Sequence, residues 1–68
     1  MNELYAAILE QVIESGTLTH NNEAGQINRA ELETEIYYEA AIERDLPADE
    51  SDAAVEYALY HTDWYDPE

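Results

Sequence analysis

Four glutamates, Glu31, Glu35, Glu39 and Glu43, recur at every fourth position and carry the most direct chemical signal in this chain. On a helix that spacing sets the carboxylates in one column, each advanced by about 6 Å along the axis. Like charges so placed repel, at roughly 0.2–0.5 kcal/mol per pair. A column that persists at this cost in a small chain reads as a surface for a positively charged partner. Glu31 has local work near a helix start, and Glu35 still lies close to that favourable positive end. Glu39 and Glu43 gain nothing of the kind. Glu43 falls near the negative end of the helix dipole, with Arg44 as partial relief.

A second acidic set, Asp45, Asp49, Glu50, Asp52 and Glu56, follows directly. Asp49 and Asp52 suit helix capping and solubility. Because the set runs on from Glu43, the two together predict one acidic edge formed by Glu35, Glu39, Glu43, Asp45, Asp49, Asp52 and Glu56. Calcium chemistry is not indicated, since the Asp-x-Asp-x-Asp-Gly run and closing glutamate of an EF-hand loop are missing. His20 and His61 stand alone in sequence and read as surface residues. There is no Ser-His-Asp set and no glycine-rich phosphate loop, and a paired-carboxylate hydrolase would need a cleft that so short a chain does not readily enclose. The expectation is a protein that is not an enzyme and uses neither cofactor nor metal.

The aromatic choice is six tyrosines and one tryptophan with no phenylalanine. These side chains bury area while keeping a polar handle, and they are enriched in binding hot spots. Tyr5 and Tyr37 suit core or core-edge packing. Tyr57, Tyr60, Trp64 and Tyr65 exceed what one short helix needs on its inward face. Tyr60 and Trp64 are therefore candidate anchors for a partner, with dimer contact and tail packing as the alternatives.

The elements that must position these groups are helical. Leu4, Tyr5, Ile8, Leu9, Val12 and Ile13 repeat on one face and predict a helix over 3–15, with Asn2 as N-cap and Gly16 just past its end. Residues 17–27 read as a connection with Leu18 tucked against the core. Asn28 as N-cap, Glu31 three positions on, and Ile27 stapled to Leu32 open a second helix over 29–44. Ile36, Ala40, Tyr37, Ala30, Ala41, Thr34, Tyr38 and Ile42 fill a broad apolar arc on its wheel, opposite the glutamates; Leu32 and Glu33 break the division. That arc suits a central helix covered on two sides. A third helix over 49–62, capped by Asp49 or Ser51, turns Ala54, Val55, Ala58 and Leu59 inward. The predicted fold is all-α, a small antiparallel three-helix bundle in one domain, 1–68.

Composition limits the partners. The chain has 68 residues, no cysteine, no lysine, two arginines and a formal charge of -15. Anionic nucleic acid and anionic membranes repel such a chain, so a basic protein is the expected partner and direct nucleic-acid or membrane binding is not. With no apolar run near the ~20 residues of a membrane span and no basic leader, the expected location is the cytoplasm. A homodimer is compatible with so small a core. For a bundle about 30 Å long, the net charge amounts to about one per 2 Å, against one per ~1.7 Å of duplex DNA.

In size, charge and helical acidity over the whole chain, the sequence resembles the acidic DNA-mimic proteins that phages and mobile elements use against restriction or CRISPR systems. No motif is shared, so the resemblance assigns no residues. It implies an inhibitor that occupies the nucleic-acid-binding groove of a host or defence protein, acting in the host cytoplasm if phage-encoded. The alternative is an acidic regulatory, adaptor or antitoxin-like module that covers one basic partner, including such a module from a halophile, whose proteins are also acidic and poor in lysine.

Overall fold

Helix α1, Glu3–Ser15, buries Ile8, Leu9 and Val12 and leaves Leu4 and Ile13 at its exposed margins. Gly16 ends it at φ 76°, a left-handed conformation that glycine adopts without a Cβ penalty. The computed structural model describes residues 3–18 and 25–66. The Asn2 cap, His20, most of the first connection and the final Pro67-Glu68 lie outside the described residues. Leu18, just past α1, is buried in the core as expected.

Strand β1, Ile27–Asn28, leads directly into helix α2, Arg29–Tyr38. Asn28 is extended and its side-chain oxygen accepts from the Glu31 N–H at 3.1 Å, so the predicted N-cap is present. Ile27 and Leu32, the predicted staple pair, both belong to the core. The helix then widens into a π turn, Glu39–Glu43. Here the Arg44 N–H reaches back five residues to the Glu39 carbonyl, and the Leu46 N–H bonds the Ala40 carbonyl, both at 3.0 Å. Asp45 takes the left-handed conformation at φ 56° between them, which reverses the chain.

Helix α3, Ala48–Tyr60, starts one residue before the predicted range, and its N-cap is Pro47. Neither expected cap acts as one. Asp49 lies inside the first turn, where its carboxylate accepts from the Glu50 N–H at 3.0 Å. Ser51 is fully buried, one turn in. Strand β2, Trp64–Tyr65, follows α3 and pairs in parallel with β1, Ile27 opposite Trp64 and Asn28 opposite Tyr65. The helical class is as predicted, with three helices, and a short parallel strand pair is added that the predicted three-helix bundle lacks. Its cause is positional: β1 precedes α2 and β2 follows α3, and those two helices share the most extensive interface.

The core is Ile8, Leu9, Val12, Leu18, Ile27, Leu32, Ile36, Ala40, Ala54 and Ala58. Along α2 it takes Leu32, Ile36 and Ala40, a column with i, i+4 spacing, all at 0% exposure. This corrects part of the predicted facing: Ile36 and Ala40 of the expected arc are buried, but the rest of that arc is not. Leu32, which falls within the acidic strip of the sequence-based wheel, belongs to the buried face beside Ile36. Tyr37, Tyr38 and Ile42, placed in the covered arc, are instead exposed. Apolar residues surround nearly the whole of this helix, so periodicity alone does not select a face. Packing against two neighbours does.

Candidate protein-docking site

The turned α2 leaves an open groove beside α3. Glu33, Thr34, Tyr37, Tyr38 and Ile42 line one wall, and Asp52 and Val55 the other, around a volume of about 530 Å³. Ile42 is 62% exposed and Tyr38 53%. Most of the groove surface is apolar, and its two rim acids differ in state. Glu33 accepts from Arg29 Nε at 3.1 Å, whereas Asp52 is exposed. Sequence reasoning missed the groove. Its signal was present as a surplus: α2 and the π turn that continues it carry two apolar sets, Leu32/Ile36/Ala40 and Tyr37/Tyr38/Ile42, and one inward face uses only the first.

The outward face of α3 adjoins the groove at Asp52. Ser51, Ala54 and Ala58 are buried, so residues half a turn away must face solvent. Asp49, Asp52, Glu56 and Tyr60 occupy that stripe, each exposed, and Tyr60 is 90% exposed. Four of the predicted contact residues thus fall on one line of one helix. Glu43 and Asp45 are also exposed, on the reversal between the helices.

The upper part of the glutamate column is placed differently. On a wheel at ~100° per residue, Glu33 and Tyr37, which line the groove, lie across α2 from Glu35 and Glu39, whereas Tyr38, which also lines it, falls beside Glu31. Glu31, Glu35 and Glu39 are partly covered. Glu39 accepts from Arg44 Nε at 3.1 Å and its side chain is only 18% exposed. Arg44, expected to relieve Glu43, therefore pairs with Glu39. Glu35 and Glu39 do not share a face with the α3 stripe.

Trp64, the remaining predicted contact residue, holds the tail. Its indole N–H donates to the Leu59 carbonyl at 3.0 Å, and the Arg29 guanidinium lies 4.8 Å above the ring. Arg29 also approaches Asp66 at 3.6 Å. These contacts pack Trp64 against the rest of its own chain. Tyr57 meets Tyr5 edge-on at 6.2 Å and stacks on His61 at 4.0 Å, while the His61 ring nitrogen Nδ1 lies 2.9 Å from the Tyr57 carbonyl.

Both arginines of the chain are thus engaged with its own carboxylates. The outward stripe of α3 is negative and aromatic. Among the described residues, no three histidine or acidic side chains converge to hold a metal ion, and no helix is long and apolar enough to cross a membrane. Comparison with protein families, with characterised proteins and with solved structures gives no match.

Proposed function

We propose that this protein is an acidic inhibitor that occupies the nucleic-acid-binding groove of a basic protein, its α3 carboxylates standing where phosphates would lie. The observation that carries this reading is the commitment of Arg29 and Arg44 to internal ion pairs, while Asp49, Asp52 and Glu56 face solvent in line. The described residues hold fifteen acids and two arginines over a longest dimension of 35 Å. That is one net charge per about 2.7 Å, against ~1.7 Å along duplex DNA, close enough to compete for the same cationic groove. The mechanism needs no bond chemistry. Long-range attraction speeds encounter, and counterions held by both surfaces are released on docking.

The test is capture from a cell lysate on the immobilised protein, followed by elution with duplex DNA. Nucleic-acid-binding proteins are expected on the resin, released by DNA and by salt. The variant D49N/D52N/E56Q is expected to lose them. Retained proteins that DNA cannot displace, or that bind the variant equally, would overturn the assignment.

A second reading is favoured by the groove. Phosphate imitation has no use for Tyr37, Tyr38, Ile42 and Val55, so an adaptor or antitoxin-like protein that covers one basic partner accounts for them better. A single partner, unaffected by DNA, is the outcome that selects it.

A further inference from the structure

We infer that the groove between α2 and α3 takes a cationic amphipathic helix from the partner protein. This rests on the proposed binding of a basic protein and names the segment that docks. A trough between two helices presents ridges that a third helix can fill, with apolar anchors at i, i+3/i+4 and i+7. From Thr34 to Ile42 the α2 wall rises about 12 Å, enough for two turns of an incoming helix. Tyr38 supplies apolar contact in the middle of that span and Ile42 at its end. Their exposure has no benefit for the isolated fold, whose core excludes them.

Charge decides the occupant. A second copy of this chain would bring another -15 to the complex, so like charge opposes self-association here. Neither arginine is free to offset that, because Arg29 holds Glu33 and Asp66, and Arg44 holds Glu39. A helix with leucine-like residues on one face and lysine or arginine beside them meets both properties of the groove. Its apolar face covers Tyr38 and Ile42, and its flanking cations reach Asp52 and, one helical turn further along α3, Glu56.

The experiment uses a labelled 18-residue leucine-lysine peptide with helical amphipathic spacing, and a scrambled peptide of the same composition. Fluorescence anisotropy is measured with the wild type, with Y38S/I42S and with D49N/D52N/E56Q, in 0.15 M and 0.5 M salt. Both replaced apolar side chains are more than half exposed, and far-UV circular dichroism checks that the variants fold. The amphipathic peptide is expected to bind the wild type at least tenfold more tightly than the scrambled one. Y38S/I42S is expected to remove that preference, with the difference persisting at 0.5 M salt. Equal affinity for the two peptides, or no effect of Y38S/I42S, overturns the inference. So does a wild-type dimer, seen by sedimentation, that Y38S/I42S converts to monomer. Loss of lysate targets with D49N/D52N/E56Q alone, beside an unaffected Y38S/I42S, preserves the proposed function and removes the groove from it.

Discussion

Glu39 and Arg44 are joined twice, once through the backbone and once through their side chains. The Arg44 N–H bonds the Glu39 carbonyl at 3.0 Å, and Arg44 Nε bonds the Glu39 carboxylate at 3.1 Å. In a regular α-helix residues five apart point about 140° away from each other, so this ion pair depends on the π turn. The turn and the pair support one another. Replacing Arg44 by glutamine is expected to destabilise the fold by about 1 kcal/mol, because a largely covered carboxylate loses its cation. R44Q/E39Q should recover part of that loss. Urea unfolding of the single and double variants measures the coupling, and full additivity would show the two residues to be independent.

The facing of α2 makes a sharper stability prediction. Leu32 is fully buried, so Leu32→Ala is expected to cost about 2–5 kcal/mol, enough to unfold much of so small a protein. Tyr38→Ser, on the exposed side, should change stability by less than about 0.5 kcal/mol. Thermal melts followed by circular dichroism compare the two. The sequence-based facing would reverse the order.

Asp45 sits at φ 56° at the end of a helix, where both its conformation and its charge are unfavourable. Asp45→Gly should therefore raise stability, by about 1 kcal/mol. A lowered melting temperature would mean that the Asp45 carboxylate makes a compensating contact.

Arg29 ties the tail to the start of α2 through Trp64 and Asp66. A double-mutant cycle on Arg29→Gln and Trp64→Phe is expected to give a coupling of about 0.5–1 kcal/mol, the range of a partly exposed cation–π contact. Tryptophan emission should shift to longer wavelength in R29Q as the ring gains water. An unchanged spectrum would show that the Leu59 hydrogen bond and β pairing hold the ring without the cation.

Local chemistry was legible in the sequence because local geometry decides it. Asn28 caps α2 since its side chain reaches the Glu31 N–H three residues on, Gly16 ends α1 because it can turn left-handed, and the run from Leu4 to Ile13 has one apolar face. Those features set α1 and the start of α2, and helical spacing puts Asp49, Asp52, Glu56 and Tyr60 along one line of α3. The rotation of α2 was not legible, because Leu32/Ile36/Ala40 and Tyr37/Tyr38/Ile42 are both apolar sets at helical spacing. Only contact with α1 and α3 chose the first, since those neighbours cover one side. That choice half-covered Glu35 and Glu39, engaged Trp64 in the tail, and opened the groove. Sequence determined which side chains carry charge and apolar surface; packing decided which of them face solvent.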